Sequence, residues 1–243
     1  MLVGPLLPCT TVRVSPRTLL IAPPLHSGTL VIEGDEAHHG RVVLRLRPGD
    51  DVRLADGEGH AAAAVVTGVG REALEVEVAA VESVAAVPVG QLTVASAVPK
   101  GDRFAELVRG LTELGVGCFI PLECARGERV PGNLDRARRI AAEALKQCHR
   151  SRHLEILPGQ SLSALAQAGG ALVVLDPLGE PARPGAPGPT TLIIGPEGGL
   201  SDDERTTLAG FPSMRLGGTI LRIETAAIAA AAVWAAAWEA PHA

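Results

Sequence analysis

The segment TLIIGPEGGLSDDE, Thr191 to Glu204, sets one carboxylate, Glu197, at the tip of a glycine-rich loop behind a β-branched apolar run. Glycine tolerates positive φ and lets another group come close to the backbone. The loop is therefore either a plain turn or a place where main-chain N–H and C=O groups close on a ligand. RLGGTILRIETAAIAAAAVWAAAW, Arg215 to Trp238, repeats the combination: a second glycine turn, then Arg222 and Glu224, then an Ala-rich helix. Two glycine turns, each with a nearby Glu and one with an Arg, are more than stability requires, yet alone they do not name a ligand. No GK[ST] follows either turn and neither reads GxGxxG, so nucleotide loops of those kinds are poorly supported. Cys9, Cys118, Cys124 and Cys148 form no CxxC pair and no Cys/His zinc spacing, so no metal is indicated.

The elements that position these residues follow from periodicity. Ser201 and Glu204 fit a capping box, Ser201 as N-cap and Glu204 reaching back, so GPEGG lies between a strand and a helix. Thr225 is the expected N-cap of the Ala-rich helix. From Gln91 onward, apolar strands LTVASAV, CFIPL, ALVVLDP, TLIIG and a short SMRLG alternate with helices. In KGDRFAELVRGLTELGV the spacing of Phe104, Leu107, Val108, Leu111 and Leu114 is helical and Gly115 ends it; LDRARRIAAEALKQCHR is a second, basic helix. This is an α/β pattern with a mainly parallel sheet, and GPEGG sits at the carboxyl end of a strand, where such sheets bind ligands. GEPARPGAPGPT reads as a surface loop. Residues 10–85 read instead as short β segments with turns, TVRV, TLLI, TLVIEG, DDVRLADGEGH, AAAAVVTGV and ALEVEVAAV, forming a small antiparallel sheet or barrel. Pro88 and Gly90 mark the linker.

With 47% hydrophobic and 20% charged residues the chain is globular, and at 2% aromatics it does not read unpaired bases by stacking several of them on rings. The net charge of −5 hides an uneven distribution. Residues 100–153 carry 11 Lys/Arg against 7 Asp/Glu, much of the surplus in RARRIAAEALKQCHRSR. That is a solvated helix face or a phosphate-contacting patch. Scattered thiols, no basic stretch before the short apolar run at the N-terminus, and an apolar run at Ala226–Trp238 too short to span a bilayer point to a cytoplasmic protein.

LIIGPEGGLSDDE followed by LGGTILRIETA resembles the paired signature of the ribosomal RNA uridine-N3 methyltransferases, the RsmE family of the SPOUT superfamily. KGDRFAELVRGLTELGVGCFIPLECAR and KQCHRSRHLEI resemble that family's middle motifs, and HHGRVVLRLRPGD its PUA-like domain. The resemblance runs over nearly the whole chain in order. It implies a trefoil-knotted α/β methyltransferase domain, residues 91–243, that dimerises and binds S-adenosylmethionine. An N-terminal PUA-like β-barrel, residues 1–86, would help grip 16S ribosomal RNA in the small subunit. Four positions depart from the family pattern: Gly110 where Lys is frequent, Thr219 where Arg is frequent, Lys146 in place of an acidic residue before Gln147, and RTLL at residues 17–20 in place of an aromatic stretch.

Carried over, the cofactor residues are Leu175, the loop Gly195, Pro196, Glu197, Gly198 and Gly199, then Leu216, Gly217, Ile220, Leu221, Thr225 and Ala226. Methyl transfer to uracil N3 needs a proton acceptor and stabilisation of charge on the uracil oxygens. Glu197 is the first candidate for the base, and Arg222, always protonated, for pairing with the anion. Arg126 is placed to reach a phosphate or the target nucleotide, while Glu224 is structural, paired with an Arg. Arg17, His39, Arg45, Lys100, Arg103, Gln147 and Arg150 are the RNA-contact candidates. Other readings are a knotted 2′-O-ribose methyltransferase and a non-catalytic RNA-binding or assembly factor.

Overall fold

A computed structural model of the chain describes residues 17–22 and 24–239; the TVRV segment lies outside them. The N-terminal half builds a six-stranded sheet. Its strands are β1 (Arg17–Leu20), β2 (Gly28–Ile32), β3 (Asp51–Ala55), β4 (His60–Val69), β5 (Leu74–Val78) and β6 (Glu82–Ser83), in the order β1-β3-β4-β5-β2 with β6 beside β4. All pairs are antiparallel except β1 with β3. Alternation places Leu74, Val76 and Val78 inside with Leu19, Leu54 and Val66, while Glu75 and Glu77 face out. A short helix, α1 (Gly34–His38), runs into a π turn at His39–Val43, so HHGRVV is helical where period-2 reading expects strand and turn only.

The C-terminal half is a parallel sheet covered on both faces. Its elements are β7 (Leu92–Ala97), α2 (Asp102–Leu114), β8 (Cys118–Glu123), α3 (Asp135–Gln147), β9 (Glu155–Ile156), β10 (Gln160–Ser161), α4 (Leu162–Ala168), β11 (Ala171–Pro181), β12 (Thr190–Ile194), α5 (Asp202–Leu208), β13 (Ser213–Arg215) and α6 (Ile223–Glu239). The order is β10-β8-β7-β12-β11-β13, every pair parallel, so β12 enters between β7 and β11. Leu192 and Ile194 pack with α2 and α6 on one face, and Ile193 with α4 and α5 on the other. Burial on both faces is why these strands read as continuous apolar runs.

Several local readings hold. Gly115 ends α2 with φ 91°, and Ser201 with Glu204 forms the capping box of α5. Others are corrected. α6 begins at Ile223, and the Ala226 N–H donates to the Arg222 carbonyl at 2.8 Å, so the helix starts two residues before Thr225, which lies within its first turn. The surface loop is shorter than expected, because Gly179–Pro181 continue β11 after a register shift between Leu175 and Glu180. α4 leaves no signal in the sequence, since seven residues carry too little periodicity to read.

Gly110 has a packing reason. A Cβ there would lie 2.7 Å from Ile228 of α6, so glycine lets α2 and α6 approach closely. Val89, in the expected linker, is fully buried in the core shared by β7, α2 and α6.

Residues Lys146 to His153 fasten the two sheets to each other. Lys146 Nζ, 7% exposed, pairs with Glu36 of α1 at 2.7 Å and with Glu143 at 2.8 Å. Thr18 Oγ1 meets His149 Nδ1 at 2.8 Å, the Gly59 N–H donates to the Ser151 carbonyl, and the His153 N–H donates to the Gly57 carbonyl. The departure at Lys146 thus has a partner of matching charge in the N-terminal sheet region.

Candidate active site

At the carboxyl ends of β11, β12 and β13 lies a cavity of about 430 Å³. One wall is Leu175 to Leu178, where β11 bulges. The second is Gly195 to Leu200, and the third runs through Met214–Gly217, Thr219–Leu221, Ile223 and Ala226. Of the expected cofactor residues, Leu175, Gly195, Pro196, Glu197, Gly198, Gly199, Leu216, Gly217, Ile220, Leu221 and Ala226 line it; Thr225 does not. Asp176, Pro177, Leu178 and Arg205 also line it and were not anticipated. The β11 bulge that brings the first three there has no signature in spacing, though a carboxylate ending a strand, as in LDP, could have raised Asp176.

The GPEGG loop is a hydrogen-bonded turn. The Gly199 N–H donates to the Pro196 carbonyl at 2.8 Å, leaving Glu197 and Gly198 at the tip, and Gly199 takes φ 71°, which glycine adopts without strain. Neighbouring side chains hold the turn. Arg126 Nη1 donates to the Gly198 carbonyl at 3.2 Å and the Leu200 carbonyl at 3.3 Å, so this guanidinium braces the loop. Glu204 receives the Ser201 N–H at 2.7 Å and the Ala125 N–H at 2.8 Å, joining the start of α5 to the end of β8. Burial acts to raise the Glu204 pKa, but those backbone donors, the Ser201 hydroxyl and the Arg126 charge outweigh it and hold it below the ordinary carboxylate value. Beside it the Cys124 thiol is pushed up to about 12, by burial first and then by the Glu204 charge. It is a protonated, inert thiol.

Glu197 Oε1 accepts from Arg103 Nη1 at 2.8 Å, and that nitrogen lies 3.9 Å from Glu224 Oε1. Arg103, expected on the RNA surface, therefore stands between the two carboxylates. Arg222 is exposed, immediately before α6.

The other RNA candidates are scattered. Lys100 pairs with Glu128 at 2.9 Å in solvent, Arg17 lies 3.7 Å from Asp50, Arg45 is exposed with φ 54°, and His39 is half-buried in the π turn. Gln147 lines a groove between α2 and α3 with Arg109, Arg136 and Arg139, alongside Glu113 and Glu143. Arg150 is turned into the protein. Its guanidinium donates to the carbonyls of Thr112 at 2.8 Å, Gly115 at 3.1 Å and Val116 at 3.4 Å, capping the C-terminal end of α2. Sequence alone could not separate an arginine that caps a helix from one that meets a phosphate. The basic surplus of residues 100–153 is thus divided between fold and surface.

Among the described residues no group of His, Cys, Asp and Glu is arranged to hold a metal ion, and no helix is long and apolar enough to cross a membrane.

Known proteins resemble the chain in both sequence and fold. Residues 86–235 match the family model for an RNA methyltransferase domain and residues 32–79 that for an RNA methyltransferase PUA domain. The class is therefore an RNA methyltransferase, an α/β domain joined to a PUA domain. The ribosomal RNA small subunit methyltransferase E of Mycobacterium bovis is 35% identical over 233 residues, covering 86% of this chain and 88% of that one. That of Bacillus subtilis is 28% identical, covering 82% and 86%. Among solved structures, a putative methyltransferase of Legionella pneumophila in complex with S-adenosylmethionine superposes with TM-score 0.85 at 28% identity, over 93% of this chain and 99% of that one. Ribosomal RNA small subunit methyltransferase E of Neisseria gonorrhoeae, bound to S-adenosylmethionine, gives 0.84 at 26%, over 92% and 98%. The chain belongs to the ribosomal RNA small subunit methyltransferase E family.

Proposed function

We propose that the chain methylates N3 of one uridine in 16S ribosomal RNA, with S-adenosylmethionine as methyl donor. The observation that carries this reading is the cavity at the strand ends. Its apolar walls suit an adenosine moiety, its three backbone turns offer N–H and C=O groups, and its volume lies within the range of small-molecule sites. When bound there, S-adenosylmethionine supplies an electrophilic methyl group on a sulfonium.

The remaining work belongs to side chains around the cavity, of which Glu197 lines it while Arg222 and Arg126 do not. A neutral imide nitrogen is a poor nucleophile until its proton leaves, so a base must sit within hydrogen-bond reach of N3. Glu197, whose side chain is 49% exposed at the loop tip, takes that proton. Arg222 pairs with the charge that grows on the uracil oxygens. Arg126 acts by keeping the loop in place, so that base and donor are held in line. Arg17, His39, Arg45, Lys100 and Gln147 are surface contacts for the RNA, joined by Arg109, Arg136 and Arg139 in the groove; Arg150 serves the fold.

The working form is a homodimer of chains with a trefoil-knotted domain over residues 91–243 and a PUA-like domain over residues 1–86. Leu178 and Ile220 support the dimer: they are 92% and 82% exposed at the mouth of the cavity, where a second copy would cover them. The test is to incubate the protein with isotopically labelled S-adenosylmethionine and unmethylated small subunits, then digest the RNA and identify the labelled nucleoside by mass spectrometry. Label in 3-methyluridine at one site is expected; label in a ribose methyl group, or none with an active control, overturns the reading.

A further inference from the structure

Glu224 is only 4% exposed, and its Oε2 has no hydrogen-bond partner among the described residues. A place in the first turn of α6 suits a negative charge, but it does not explain a buried carboxylate oxygen without a donor, which is costly. The nearest cation is Arg103 of α2. Its Nη1 lies 3.9 Å from Glu224 Oε1, beyond hydrogen-bond length, because the same nitrogen is engaged at 2.8 Å by Glu197. One guanidinium thus stands between two carboxylates, bound to the exposed one and short of the buried one. Arginine presents five donors in a flat fork that matches a carboxylate in bidentate fashion, so a small rotation of Arg103 would satisfy both oxygens of Glu224.

The consequence falls on Glu197. While Arg103 Nη1 donates to Glu197 Oε1 at 2.8 Å, that oxygen is already engaged by a donor and is not open to the imide proton. We propose that Glu224 is a positioning residue: it draws Arg103 off Glu197 when the uracil enters, freeing Glu197 to take the imide proton. The inference rests on the methyltransferase reading above. In the step it serves, the N3–H proton passes to Glu197 and the N3 lone pair forms the N–CH3 bond. The C–S bond breaks with its electron pair left on sulfur, giving a neutral thioether and a protonated Glu197.

The test is a double-mutant cycle read as kcat, KM for the RNA and Kd for S-adenosylmethionine. Glu224→Gln keeps the shape and removes the charge that attracts Arg103. It is expected to lower kcat about tenfold or more, part of the roughly 10²–10⁴-fold that a positioned base contributes, with KM and Kd unchanged. Glu224→Asp, which restores a carboxylate, recovers part of the loss. In an Arg103→Gln background, whatever kcat that change leaves, Glu224→Gln has no further effect, since the group it acts through is gone. An equal loss in both backgrounds, or a loss that appears in Kd or KM and not in kcat, overturns the proposal. If Glu224→Gln does not fold, the cycle is run with Glu224→Met, which also removes the charge at similar length, and decides by the same criterion. A wild-type enzyme that forms no 3-methyluridine removes the underlying reading, and that control separates the two failures.

Discussion

Glu204→Gln removes one negative charge from the junction of α5, the end of β8 and the glycine loop. Glu204 accepts two backbone N–H groups, those of Ser201 and Ala125, and completes the capping box. The amide keeps one acceptor oxygen, but its NH2 cannot accept the second N–H. Loss of a cap contributes about 1 kcal/mol, and a hydrogen bond to a charged acceptor slightly more; partial exposure lets water replace some of it, so about 1–2 kcal/mol is expected at neutral pH. For a chain of this size that lowers Tm by about 2–8 °C. The pH dependence has a definite sign. The Glu204 pKa is depressed on folding, so its contribution is fully present above the ordinary carboxylate value of 4.5 and disappears as pH falls through the lower folded value. The gap in Tm between wild type and Glu204→Gln is therefore wide at neutral pH and closes on acidification. Because Glu204 also ties Ala125, next to the loop-bracing Arg126, the variant weakens S-adenosylmethionine binding several-fold by titration calorimetry. An unchanged Tm at neutral pH, or a gap that widens in acid, refutes the reasoning.

Three other outcomes follow from the packing. Arg150→Met leaves the last carbonyls of α2 without their buried donor and destabilises the chain by about 3 kcal/mol or more in urea titration, since the half-buried guanidinium serves several acceptors. Lys146→Glu places a third carboxylate beside Glu36 and Glu143 and costs about 3–5 kcal/mol, with the N-terminal sheet becoming protease-sensitive first. Burial acts to lower the Lys146 pKa, but hydrogen bonds to Glu143 and Glu36 raise it overall, so its contribution is complete at neutral pH and is lost only as pH rises through the folded value. Cys124, with its thiol pushed up to about 12, reacts with iodoacetamide far more slowly at pH 8 than a free thiol in the denatured chain; equal rates would refute the burial argument.

Much of the fold is legible because its causes are local. The apolar runs of β7, β8 and β12, the spacing of Leu107, Val108 and Leu111 in α2, and the S-x-x-E box at Ser201 each carry their own signal. The site is legible where the backbone itself is the device, as in Gly195–Gly199 and Leu216–Gly217. What could not be read depends on partners far along the chain. Arg150 looks like any surface arginine until α2 ends against it, and Arg103 belongs with Glu197 and Glu224 only because α2, the β12 loop and α6 converge. The bulge in β11 arises from pairing with β13 and has no local marker. Thr225 misled because a hydroxyl is a good N-cap wherever it stands, while the cap was set by the turn that precedes α6.

The position of β12 between β7 and β11 means that the C-terminal sheet closes late as the chain is made. Among the described residues, the strands of the N-terminal sheet lie within residues 17–83, so they emerge and can pair early. The walls of the cavity come from residues 175–226, and β12, arriving after β11, closes the gap beside a strand made about a hundred residues before it. A nascent chain therefore holds the described strands of the N-terminal sheet long before it holds the walls of the cavity. No fragment ending before α6 carries all of those walls, since Ile223 and Ala226 are among them.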